Sequence, residues 1–220
     1  MEEIKNISKK VIGALSSGRC PICALLRQDE FDYICEWVGV SDAKYRKAEK
    51  RIGLVKSKGF CNYHFWEFEN ISRHDGSAEM CLELIEQLIT FLQTNKKSTS
   101  KNYKDHIICP VCSGLKEKQY EYLNAMVSSL GTIENRKKYT DGWGLCYPHL
   151  LKILNYVKDS SLREFLLDTE LEQLKRVKSN AMELVRKKDS PLRWEQTNDE
   201  KVSYFRAIEK LVGRRGTLDE

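Results

Sequence analysis

Cys20-Pro21-Ile22-Cys23 is followed by Leu26, Phe31, Ile34 and Val38, an apolar series at helical spacing that halts near Gly39. A proline directly after the first cysteine and a periodic run behind the second describe a tight turn at a helix N-terminus. There the free backbone N–H groups and the positive end of the helix dipole favour thiolate sulfur. The pattern recurs downstream. Cys109-Pro110-Val111-Cys112 leads into Leu115, Tyr120, Tyr122, Leu123 and Val127, in register with Leu26, Phe31, Tyr33, Ile34 and Val38. A match sustained over so many positions predicts one helix used twice, and hence an internally duplicated chain.

Each CPxC is answered, after an interval, by Gly-x-Cys-x-x-His: Gly59-Phe60-Cys61-Asn62-Tyr63-His64 and Gly144-Leu145-Cys146-Tyr147-Pro148-His149. A cysteine and a histidine three residues apart share one face if the chain is helical there. Three thiolates and one imidazole are the donor set of a closed tetrahedral zinc site, with no position left for a substrate. Two Zn²⁺ per chain are therefore expected, on Cys20, Cys23, Cys61 and His64 and on Cys109, Cys112, Cys146 and His149. Pairing within each half closes the shorter loops and is the default. The alternative is an exchange, with the first CPxC meeting the second CxxH. The same donors also suit iron or an iron–sulfur cluster. A CPxC at a helix start is like a redox dithiol as well, but the strand–helix alternation of such folds is missing and each CPxC has a partner CxxH.

The rest of the chain reads as helices. Ile4, Ile7, Val11, Ile12 and Leu15 form one apolar stripe ending at Ser16-Ser17-Gly18; Ser41-Asp42 caps a basic helix through about Lys56; Met80, Leu84, Leu88 and Phe91 mark another. Between Val127 and Gly144 there is room for a turn or a short helix. Ser161-Leu162-Arg163-Glu164 fits a capping box opening a long helix through Phe165, Leu174, Val177 and Val185. Asn95 to Lys104 carries no apolar period and is rich in lysine, serine and asparagine. The expected division is a first repeat with its N-terminal helix at 1–95, a linker at 96–105, a second repeat at 106–190 and a tail at 191–220. The tail holds an amphipathic segment with Val202, Phe205, Ile208 and Leu211, expected to dock its apolar stripe on the body. With no strand alternation, the fold class is all-α.

The remaining candidates have plainer readings. Cys35 and Cys81 fit small core positions, His74 and His106 the surface, and Phe31, Tyr33, Tyr120 and Tyr122 a duplicated aromatic core pair, with a stacking platform as the alternative. Arg206, Lys210, Arg214 and Arg215 read as solvated charges that could touch phosphate.

The chain has 220 residues, 41% hydrophobic and 31% charged, with a net charge of +5. Loading a Cys3His site with Zn²⁺ lowers the charge further, since three thiolates outweigh the ion. That balance gives nucleic-acid binding little support, because acids and bases alternate along helical segments. Met1-Glu2-Glu3-Ile4-Lys5 opens no secretory signal, and no apolar run approaches the roughly 18 residues needed to span a bilayer. A cytoplasmic, non-membrane protein is expected, in which CxxC pairs serve as ligands rather than disulfides. No phosphate loop, dinucleotide fingerprint, His-Glu-x-x-His or Gly-x-Ser-x-Gly occurs.

The tandem CPxC to GxCxxH halves, followed by Phe205-Arg206-Ala207-Ile208-Glu209-Lys210-Leu211-Val212-Gly213, resemble an uncharacterised prokaryotic family with duplicated cysteine–histidine motifs. The resemblance implies a helical metal-binding protein and carries no activity. The expected function is a zinc-stabilised, non-enzymatic scaffold that binds a protein partner or itself. An iron or iron–sulfur redox protein and a nucleic-acid-binding zinc protein are the alternatives.

Overall fold

The structure, a computed structural model, describes residues 2–41, 53–54, 56–72, 74–94, 109–188 and 190–214. Among them there is no strand, so the all-α class holds. The expected linker at 96–105, His106 and the basic helix after Ser41, apart from a few residues near its end, lie outside the described residues. No described helix is long and apolar enough to cross a membrane.

In chain order the helices are α1 (Glu2–Ala14), α2 (Pro21–Ser41), α3 (Asn62–Ile71), α4 (His74–Thr94), α5 (Pro110–Ser129), α6 (Ile133–Asp141), α7 (Tyr147–Leu154), α8 (Ser160–Lys187), α9 (Asn198–Lys201) and α10 (Ser203–Val212), with a short 3-10 turn at Pro191–Glu195. Both CPxC turns open a helix, with prolines 21 and 110 as the first helical residues. The interval before Gly144 holds the short helix α6, capped by Thr132, whose side chain accepts from the Asn135 N–H. For α8 the cap is Asp159 accepting from the Ser161 N–H, two residues earlier than the expected box, because a carboxylate was available there.

The chain forms two compact units, and their boundaries fall inside α2 and α5. Unit 1 comprises residues 1–27 and 118–218. Its buried apolar residues include Val11, Leu15, Ile22, Leu26, Leu123, Met126, Leu130, Ile153 and Leu166. Helix α10 packs against α8 and α7. Unit 2 comprises residues 28–117, with Ile34, Leu54, Phe60 and Phe68 buried. The rings of Trp37, Phe65 and Phe68 surround Phe60 at centroid distances of 5.4–5.8 Å, edge-on or tilted contacts that suit the aromatic quadrupole.

The expected docking of the tail is inverted. Val202, Phe205, Ile208 and Leu211 are exposed, whereas Ser203 and Lys210 are buried. Lys210, 2% exposed, ion-pairs with Glu170 of α8 at 2.6 Å and donates to the Leu145 carbonyl at 2.8 Å. That polar anchor sets the rotation of α10 and turns its apolar stripe outward. Of the duplicated aromatic pair, Tyr122 is buried, while Phe31 and Tyr120 are about half exposed and are not core residues.

Candidate metal centres

Helix starts bring the donors together. Cys20 and Cys109 stand just before α2 and α5, and their carbonyls accept the first turn's hydrogen bonds from Ala24 and Ser113, each at 3.0 Å. Cys61 and Cys146 occupy the N-cap positions of α3 and α7. Before each of them a glycine with positive φ makes the turn, Gly59 at +96° and Gly144 at +70°, a backbone state other residues enter only at a cost. Each centre thus gathers two helix N-termini, whose dipoles stabilise a cluster carrying net negative charge.

The eight residues of the motifs form two quartets, and the pairing is crossed. Cys20, Cys23, Cys146 and His149 make centre 1, in unit 1; Cys61, His64, Cys109 and Cys112 make centre 2, in unit 2. The expectation that each half closes its own site is overturned. Its basis was loop length, and Cys23 does meet Cys146 across 123 residues. Closure entropy grows by only about 0.6 kcal/mol per doubling of a loop, so the longer span costs about 1 kcal/mol more. Meanwhile α2, 21 residues long, carries the chain about 30 Å from its own CPxC. Packing therefore decides the partner.

The geometry fits a tetrahedral ion. Sulfur–sulfur separations are 3.8 Å for Cys23–Cys146 and 3.7 Å for Cys61–Cys112. Four-coordinate zinc with thiolate bonds of about 2.3 Å requires edges of about 3.8 Å. The imidazoles present Nδ1 inward, at 3.1–3.5 Å from the sulfurs in centre 1 and 3.2–3.4 Å in centre 2. All four donor atoms of each quartet lie within 4.8 Å of one another, and all the cysteines are free of disulfides.

Electrostatics point the same way. Hydrogen bonding from Cys112 pulls the Cys109 thiol down to about 3 and pushes Cys112 up in exchange. In centre 1, hydrogen bonding from Cys146 lowers Cys23, while burial pushes Cys20 up. In each centre one thiol is thus lowered while a neighbour is raised. Burial pulls the His64 imidazole down, but hydrogen bonding to Cys109 and Glu30 outweighs it and holds the ring at about 10. A cluster that retains a proton so strongly is short of positive charge, which a divalent cation supplies.

Around the donors the two centres differ. His64 Nε2 stands 3.2 Å from the Glu30 carboxylate, itself 0% exposed. A carboxylate behind a ligating histidine fixes the ring and raises its basicity. His149 Nε2 instead lies 2.9 Å from the Gln119 amide nitrogen, while the amide oxygen accepts from Lys152 Nζ at 2.6 Å. If Nδ1 is a ligand, Nε2 carries the proton and needs an acceptor, yet the Gln119 oxygen is engaged by Lys152 and the amide nitrogen faces the ring. Centre 1 has a second support. Glu170 accepts from the Leu145 N–H at 2.5 Å and from the Tyr139 hydroxyl while it pairs with Lys210. The loop just before Cys146 is therefore tied to α8 and α10.

Sequence patterning missed Glu30, Gln119 and Glu170, and Lys210, expected to be a solvated charge, is buried against Glu170. The only available signal was that Glu30 and Gln119 each follow the first cysteine of a CPxC by the same interval. Cys35 and Cys81 join neither quartet, and both are partly exposed rather than core.

Residues 11–217 match the family of unknown function DUF6062. The chain belongs to that family. No curated protein and no solved structure matches it. The match spans both quartets and the tail helix, so the family's extent is that of the whole two-centre arrangement rather than of one motif.

Proposed function

We propose that this chain is a non-enzymatic scaffold, built by internal duplication, in which two structural Zn²⁺ ions pin helix N-termini together. Cys20, Cys23, Cys146 and His149 would hold one ion, and Cys61, His64, Cys109 and Cys112 the other. The observation that carries this is the closure of both quartets at the edge length of a zinc–thiolate tetrahedron. With four protein donors on each ion, no position remains for a reacting group. Bound zinc would supply cross-linking and charge rather than chemistry. Duplication is supported by the equal placement of Glu30 and Gln119 behind the two histidines.

The partner reading follows from the surface. Leu82, Ile85, Ile89 and Leu92 on α4, and Phe205, Ile208 and Leu211 on α10, are exposed. Apolar rows of this kind mark surfaces that another protein, or a second copy, covers. A cytoplasmic location is consistent with six cysteines held as ligands.

Paired substitutions test the arrangement. Cys20→Ser with Cys146→Ser damages one crossed centre and should leave about one zinc per chain, whereas Cys20→Ser with Cys61→Ser damages both and should leave about none. Pairing within halves gives the opposite result, so elemental analysis of the two double variants decides. A colourless, zinc-loaded chain supports the structural role; a coloured, iron-loaded chain overturns it.

A further inference from the structure

We infer that the two centres differ in exchange: centre 2 gives up its metal to competing ligands that reach it through a surface groove, while centre 1 keeps its own. This rests on the metal-binding reading above. The donor sets are identical, so the difference must come from what surrounds them. In centre 1 all four donors are buried: Cys20 is 4% exposed, Cys23 3%, Cys146 and His149 0%. The opening that touches Cys20 and Cys23 is a pit of about 10 Å³, walled by Arg19 and, from the tail, by Glu209 and Arg214. That volume barely admits one water. In centre 2, Cys61 and Cys112 are partly exposed. Cys61 lines an open groove of about 640 Å³ together with Phe60, Phe65, Trp66, Phe68 and Cys81.

Metal leaves a closed thiolate site when an incoming ligand reaches the ion as a bound sulfur departs, so access to sulfur sets the rate. A groove of that size accommodates a chelator or a small thiol. The protein loops add a second contrast. Leu145, the residue before Cys146, is held on both its N–H and its carbonyl by the buried Glu170 and Lys210. Phe60, the residue before Cys61, is held by edge-on and tilted ring contacts, and Trp66 nearby is 63% exposed. The hydrogen bonds of that turn are local, from the Gly59 N–H to the Leu54 carbonyl at 3.0 Å and from Ser57 Oγ to the Leu54 and Gly59 carbonyls. A turn held by local bonds and aromatic packing swings outward more readily than one tied to distant helices by a buried ion pair. Loss of the ion from centre 2 would loosen α3 from α5 within unit 2, giving the scaffold one permanent and one releasable cross-link.

The test uses the full chain loaded with zinc, treated with EDTA and N-ethylmaleimide, with released zinc and modified peptides followed over time. A freed thiolate adds across the maleimide double bond, and the neighbouring carbon takes a proton from water. Cys61, Cys109 and Cys112 should be modified at least about tenfold faster than Cys20, Cys23 and Cys146, in step with release of the first zinc. Cys35 and Cys81, which belong to neither centre, provide the rate of a metal-independent thiol. Loss of both ions at one rate, or earlier modification of Cys20, Cys23 and Cys146, overturns the inference while leaving the metal reading intact. A chain that never holds zinc overturns both.

Discussion

Centre 1 and centre 2 offer the same four donors, at the same spacing, from the same kind of helix start, yet the protein around them is different. At centre 1 a buried ion pair reaches across from α8 and α10 to grip the loop before the third cysteine. At centre 2 a cluster of phenylalanine rings does that work, and a carboxylate rather than an amide stands behind the histidine. The ligands decide which ion is accepted, and the surroundings decide how firmly the loop is held and who can reach it. Two copies of a motif can thus share a coordination chemistry and still differ in rigidity and access.

The largest expected effect comes from breaking the grip on centre 1. Lys210→Met leaves the Glu170 carboxylate buried without its cation, a loss of about 3–5 kcal/mol. Urea unfolding of the zinc-loaded chain measures it. Adding Glu170→Gln should recover part of the loss, because the uncompensated charge is gone. A cost below about 1 kcal/mol, typical of a solvated pair, would remove the distinction between the two loops.

The next effect compares the two glycines. An alanine at either position must hold a positive φ, at about 1–2 kcal/mol. At Gly144 the added methyl also runs into the Glu170 carboxylate, which cannot yield without giving up Tyr139, Leu145 and Lys210. At Gly59 it meets the edge of the Phe65 ring at 2.9 Å and a Leu84 methyl at 3.1 Å, which can rotate aside. Gly144→Ala should therefore be less stable than Gly59→Ala by about 1–2 kcal/mol, as read from the two urea midpoints. Equal costs would mean that Glu170 is free to move.

These contrasts explain what the amino-acid order could and could not convey. The CPxC and CxxH turns were legible because a helix start needs only nearby residues: a proline, a positive-φ glycine and a periodic run. The choice of which CPxC meets which CxxH was not. Loop closure separates the two pairings by only about 1 kcal/mol, and helix packing, which has no local signature, exceeds that. The tail shows the same limit. Its 3.6-residue stripe placed Phe205, Ile208 and Leu211 inward, but Lys210 finds Glu170 40 residues away. A period has no term for a distant charge, so the helix was read with the wrong face buried.

The subtlest expected difference lies behind the histidines, where affinity rather than access is set. The Glu30 carboxylate stands 3.2 Å from His64 Nε2, whereas Gln119 turns its amide nitrogen toward His149 Nε2 and its oxygen toward Lys152. Glu30→Gln should weaken metal binding at centre 2 by about tenfold, the lower end of what outer carboxylates contribute. Gln119→Glu should tighten centre 1 by a smaller factor, since the new carboxylate serves both His149 and Lys152. Competition against a chromophoric chelator at equilibrium measures both variants, with the untouched centre as reference in each. If Glu30→Gln leaves the affinity of centre 2 unchanged, the carboxylate only packs against the ring. If it weakens centre 2 while the order of thiol modification is preserved, affinity and exchange are governed separately, by the charge behind the histidine and by the groove in front of Cys61.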